Sequence, residues 1–185
     1  MEEVKDKKYS IFVASNLSLV TPDLFRFYRG MREVCDICGK SSFLPLDFVS
    51  PSKFDSGIFN IDFYNLVSDK IAHAELGVFY IGFNSTDVGV MLAMAKRRDL
   101  PLIFLYESGK EDWLRANEPK VWLRLKTKEE LSSSQPCGMI TSAYHNSFFM
   151  PESTYSKIVA EIKFKSKKES LSELEEKIRK FFYLS

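Results

Sequence analysis

The chain has 185 residues, 45% of them hydrophobic, so it can bury a sizeable core, and this length fits one domain better than two. Lys and Arg number 26 against 25 Asp and Glu, a near balance that excludes both a global basic field for nucleic acid and an acidic excess favouring disorder. Partners must therefore be inferred from a local site.

The opening segment MEEVKDKKYS is charged and lacks the apolar stretch of a signal peptide. No apolar run approaches the roughly 18 residues that a membrane span needs. Three cysteines, Cys35, Cys38 and Cys137, suit a reducing compartment better than a disulfide framework. The expectation is a cytoplasmic protein that engages neither membrane nor nucleic acid. Residues 1–8 read as a charged leader, 9–162 as a single α/β domain, and 163–185 as a lysine-rich link with a C-terminal amphipathic helix.

Tyr9 to Ala14, YSIFVA, is a short apolar run ending at Ser15 and Asn16, as expected of a buried strand. From Thr21 the series Leu24, Phe25, Tyr28, Met31 and Val34 has helical spacing, with Thr21 as N-cap, Pro22 in the first turn and Gly39 as stop. Ser42 to Leu46 predicts a second strand ended at Pro45, because proline cannot donate to an interior ladder. Val49 to Gly57 reads as loop, and Ile58 to Ala74 as helix with Phe59, Phe63, Leu66, Val67 and Ile71 as its apolar positions.

Leu76 to Phe83, LGVFYIGF, is the clearest strand, nearly all apolar, as a central parallel strand covered on both faces should be. Asn84, Ser85, Thr86 and Asp87 end it, and Val88 to Arg98 follows as a helix with Val88, Met91, Leu92 and Ala95 on one stripe. Leu102 to Tyr106 is another strand. Alternating strands and helices with short connections predict a flavodoxin-like, doubly wound parallel sheet with helices on both faces. Further on, Val121 to Leu125 suggests an edge strand, Leu131 to Phe149 is irregular, and Lys163 to Lys168 links to a helix over Leu171 to Phe182.

Ligands of open α/β sheets collect beyond the carboxyl ends of the strands, where the strand order reverses. Two polar strand ends qualify, Ser15 with Asn16 and Asn84 with Ser85 and Thr86. The second also opens a helix, whose free N–H groups and dipole suit a phosphate or carboxylate. The same residue types also serve as ordinary helix caps. Gly77, Gly82 and Gly89 match neither a Walker nor a dinucleotide fingerprint.

IFVASNL at the first strand, FLPLD at Phe43 to Asp47, and AELGVFYIGFNSTDVGVMLAMAKRRDLPLIFLYE from Ala74 to Glu107 resemble the nucleoside 2-deoxyribosyltransferase family, including its relatives the 2′-deoxynucleoside 5′-phosphate N-hydrolases. Ala74-Glu75 stands for the family's Ala-Asp pair, and Asn84 to Ala95 for its segment P-S-x-G-V-G-x-E-L-G-x-A. Trp113 to Pro119 looks like a further stretch in register, so the resemblance covers about Lys8 to Leu131. It implies a flavodoxin-like fold, a homodimer or higher homo-oligomer, no cofactor and no metal, and cleavage of the bond between base and deoxyribose. The implied ligand is a nucleoside or nucleoside monophosphate.

The resemblance further implies that Ser85 meets the 5′-hydroxyl or 5′-phosphate, that Ser15, Asn16, Asn84, Thr86 and Gly89 line the ligand, and that Asp47 borders the base. The family's nucleophilic glutamate aligns with Met91, whose thioether cannot attack C1′ of the sugar or stabilise an oxocarbenium ion by charge. Asp87, one helical turn before Met91, and Asp62 are the carboxylates that could stand in. Asp87 also reads as a helix cap. Asp62 and Asp69 flank Val67, where a helper aspartate is expected, and Glu75 begins its strand at the wrong end.

Cys35-x-x-Cys38 has no second pair and only His73 and His145 elsewhere, so it reads as core rather than as a zinc or redox site. His73 falls at the sheet end away from the expected site, and His145 in the irregular stretch. Three functions follow as alternatives: an N-glycosidase or deoxyribosyl transferase with a substituted carboxylate, a catalytically silent relative that binds a nucleotide or phosphorylated ligand, and a partner-binding module with a vestigial site.

Overall fold

The computed structural model describes residues 8–17, 20–48, 61–81, 86–108 and 158–184. Strand β1 (Ile11–Ala14) leads to helix α1 (Pro22–Ile37), β2 (Ser42–Phe43) and a 3-10 turn (Pro45–Phe48). Helix α2 (Ile61–His73), β3 (Leu76–Tyr80), α3 (Thr86–Arg97) and β4 (Leu102–Glu107) follow, and β5 (Ile158–Phe164) with α4 (Lys167–Tyr183) closes the described fold. The five strands form one all-parallel sheet in the order β2-β1-β3-β4-β5, a flavodoxin-like α/β fold.

Local chemistry sets the element ends. The Thr21 hydroxyl accepts the Leu24 N–H at 3.2 Å, and Pro22, which has no N–H to lose, starts α1. Gly39 ends it with a positive φ of 69°, which glycine adopts without a Cβ clash. The expected second strand shortens to two residues, because Pro45 turns the chain into a 3-10 helix instead of extending the ladder. The central strand likewise ends at Tyr80, three residues before the predicted end at Phe83.

The core lies on both faces of the sheet. Phe12, Phe79 and Phe104 point to one side, where successive ring centroids stand 6.3 Å apart. Tyr80, next to Phe79, points to the other, against Phe27 of α1 (5.2 Å) and Phe164 of β5 (6.1 Å). Helices α1 and α4 cover this second face and pack against each other, while α2 and α3 pair on the first. That division is what right-handed crossovers require.

The stretch read as a lysine-rich link from Lys163 is instead the end of β5, where Lys163 pairs with Tyr106 and Phe164 with Glu107. Only Lys165 and Ser166 separate strand from helix. The Ser166 hydroxyl accepts the Glu169 N–H at 3.3 Å and caps α4, which therefore begins four residues before the periodicity of Leu171 suggested. Leu174 and Ile178 are fully buried and Leu171 packs on the core, so α4 is an integral layer of the domain. Residues 1–7, the predicted strand at Val121 to Leu125 and the irregular stretch from Leu131 to Phe149 lie outside the described residues.

Candidate functional site at the β1–β3 switch point

From β1 the chain passes to β2 on one side of the sheet, then crosses to β3 on the other. The switch point is therefore the carboxyl edge between β1 and β3, where the loop after β1 faces the start of α3. Ser15 and Asn16 extend β1 directly into this edge and are 0% and 2% exposed. The backbone N–H of Asn16 donates to the Tyr28 hydroxyl of α1 at 3.0 Å. The next one, of Leu17, donates to Asp87 Oδ2 at 3.0 Å, joining residues 70 apart in sequence. Among the described residues the Ser15 Oγ is buried without a hydrogen-bond partner.

Asp87 thus stands in the first turn of α3, where the helix dipole favours a negative charge, and holds the β1 loop against that turn. Gly89 is buried in the same turn. Thr86 opens the helix; its side chain, like Asn84 and Ser85 as whole residues, lies outside the described residues. Asp62 falls in the first turn of α2, and its side chain is outside them as well.

Met91 is 3% exposed and belongs to the core stripe with Val88, Leu92 and Ala95. The thioether at the position of the resembled family's nucleophile is thus a packing group. Asp47 sits apart, in the 3-10 turn after β2, where its carboxylate pairs with Arg32 and, at 3.5 Å, with Arg29. The sequence gives no sign of this clamp, since the arginines belong to α1 and only the fold brings them to the end of β2.

A second polar pair was not legible as site residues. The Tyr80 hydroxyl donates to Glu107 Oε1 at 2.8 Å, linking the carboxyl ends of β3 and β4. Burial, followed by this bond and the Glu107 charge, drives the Tyr80 phenol well above its ordinary range. Burial also pushes Tyr28 up to about 12, with the Asp87 charge adding to the effect. Both tyrosines fall on apolar stripes in the sequence, which locate the ring but are silent on the hydroxyl.

Cys35 and Cys38 are buried free thiols, and burial raises both above their ordinary range. His73 is exposed at the opposite edge of the sheet, its Nδ1 2.8 Å from the Asp69 carbonyl. Among the described residues no group of three or more His, Cys, Asp or Glu could hold a metal ion, and no helix is long and apolar enough to cross a membrane.

Fold and site together define a flavodoxin-like α/β protein with a polar switch point framed by the β1 loop and the N-terminal turn of α3. No family model matches the chain, and no curated protein sequence matches it.

Proposed function

We propose that the chain is a nucleoside- or nucleotide-binding protein of the deoxyribosyltransferase-like kind, which holds its ligand at the β1–β3 switch point without cleaving the glycosidic bond. The observation that carries this reading is the convergence of Ser15, Asn16 and Asp87 at that edge while Met91 is packed in the core beside it. Polar groups suited to a sugar or base meet there, and the carboxylate that would attack C1′ is replaced by a thioether. Homo-oligomerisation, which the resemblance implies, and a reducing, cytoplasmic setting, which the three cysteines suit, belong to the same reading.

A ligand that binds only the folded chain must raise its melting temperature, by about 2.7 kcal/mol of added stability at a concentration a hundredfold above Kd. Titration with deoxynucleosides and their monophosphates is expected to raise the melting temperature while chromatography of the same mixtures finds no free base. No shift with any ligand of the panel refutes the reading. Release of base would instead favour an active glycosidase using Asp87, the described carboxylate at this edge nearest the missing nucleophile in sequence; Asp87→Asn would then abolish release.

A further inference from the structure

Away from the switch point, a cavity of about 110 Å³ opens at the outer edge of β2, between the last turns of α1 and the 3-10 turn. An engineered apolar cavity of about 150 Å³ takes up benzene, so this one has room for a guest of roughly six or seven non-hydrogen atoms. Tyr9, Arg32, Asp36, Ser42, Asp47 and Phe48 line it, and its walls therefore carry both signs of charge, hydroxyls and aromatic rings.

Asp47 is already satisfied: Arg32 Nη1 binds one carboxylate oxygen, and Arg29, itself 4.9 Å from the centre of the Phe25 ring, stands 3.5 Å from the other. Two opposite charges are left for a guest. The Nη2 edge of Arg32 makes no hydrogen bond among the described residues. Asp36, one helical turn on, holds its Oδ2 4.0 Å from Arg32 Nε, beyond hydrogen-bond reach, and its side chain is 56% exposed. Burial raises the titration of the Tyr9 phenol, on which the charges of Arg32 and Asp47 act in opposite senses, so this hydroxyl belongs to the same wall. The Ser42 hydroxyl is short of a partner. On a residue 6% exposed, its Oγ lies beside the Cys35 sulfur, a weak acceptor whose own proton goes to the Met31 carbonyl at 3.2 Å, and makes no full hydrogen bond among the described residues.

We propose that this cavity binds a small α-amino acid as its zwitterion, the carboxylate on the open edge of Arg32 and the Ser42 hydroxyl, the ammonium on Asp36. A simple anion meets the carboxylates of Asp36 and Asp47, and a simple cation meets two arginines. A molecule with both signs on one carbon answers each wall with its opposite, through charge-assisted hydrogen bonds. Phe48, stacked on Phe43 with ring centroids 4.9 Å apart, gives the guest's side chain a flat apolar wall, and the volume limits that side chain to about the size of alanine or serine.

The same groups could fasten the 3-10 turn to α1 with no guest, and titration separates the two roles. In amide correlation spectra of the full chain, L-alanine and L-serine should shift the resonances of Ser42, Leu44 and Phe48 in a saturable way. N-acetyl-L-alanine, which lacks the ammonium, and L-alaninamide, which lacks the carboxylate, should bind at least about tenfold more weakly. No described hydrogen bond engages the Asp36 side chain, so Asp36→Asn should fold as the wild type does; it is expected to lose at least about tenfold in affinity for L-alanine with little change for N-acetyl-L-alanine. The absence of a saturable shift at these residues with either amino acid, equal binding of the blocked analogues, or an unchanged affinity in Asp36→Asn overturns the proposal and leaves the cluster as a fastening of the turn.

Discussion

At the scale of single residues, burial decides what each polar or apolar group can do. Met91→Glu places a carboxylate where the native side chain is 3% exposed, so its desolvation should cost about 2–4 kcal/mol, whereas Met91→Leu should cost under about 1.5 kcal/mol. Urea midpoints of the two variants check this. Free base released by Met91→Glu would show that the surrounding residues still seat a deoxyribose against the restored carboxylate. Tyr28 supplies a pH dependence. Its phenol ionises near 10 in the unfolded chain and is pushed up to about 12 in the folded one. The folded state therefore keeps a proton that the unfolded state loses. The associated stability is intact below about pH 10 and drains away as the pH rises toward about 12, by roughly 2 kcal/mol. Tyr28→Phe should lessen the fall in urea midpoint between about pH 9 and about pH 11, leaving the slope due to the other buried groups whose titration is raised, Tyr80, Tyr9, Cys35 and Cys38. An unchanged slope would show that Tyr28 titrates normally. Asp87, by contrast, could be read from the sequence as a helix-start residue but not as the acceptor for Leu17, because a bond across 70 residues exists only once β1 and β3 pair.

Among the elements, two glycines mark where layers approach closely, and they should respond differently to the same change. A Cβ on Gly77 of β3 would stand 2.8 Å from both the Leu102 Cδ2 and the Phe79 ring, inside a packed sheet face with nowhere to yield. Gly77→Ala should therefore cost about 1–3 kcal/mol. On Gly30 of α1 the Cβ would meet the Leu171 Cδ1 at 2.9 Å, the far end of a flexible side chain on α4. There the gain of about 1 kcal/mol in helix propensity offsets the repacking, so Gly30→Ala should lie within about 1 kcal/mol of wild type. Leu174→Ala tests whether α4 belongs to the domain: full burial predicts a loss of about 2–5 kcal/mol in a single cooperative transition, where a separate tail would lose almost nothing. The strands before α4 were legible because β1, β3 and β4 are short, continuous apolar runs covered on both faces. β5 was not, because an edge strand alternates: Val159, Glu161 and Lys163 are exposed between Ile158, Ala160, Ile162 and Phe164, and in composition the end of that alternation merges with a lysine-rich linker.

For the molecule as a whole, the sheet order joins strands distant in sequence. β1 pairs with β3 rather than with β2 alone, and β4 pairs with β5 across the long interval from Glu107 to Ile158. During synthesis the backbone groups along the outer side of β4 can find their parallel partner only after Phe164 has emerged, and α4 can cover α1 only after that. A nascent chain halted before Ile158 would carry an unpaired edge formed by LIFLYE, an apolar and aromatic segment of the kind that templates intermolecular strand pairing. Among the described elements, β5 and α4 are thus the last to take their places, and a chain lacking residues 158–184 is expected to aggregate where the chain that has them folds.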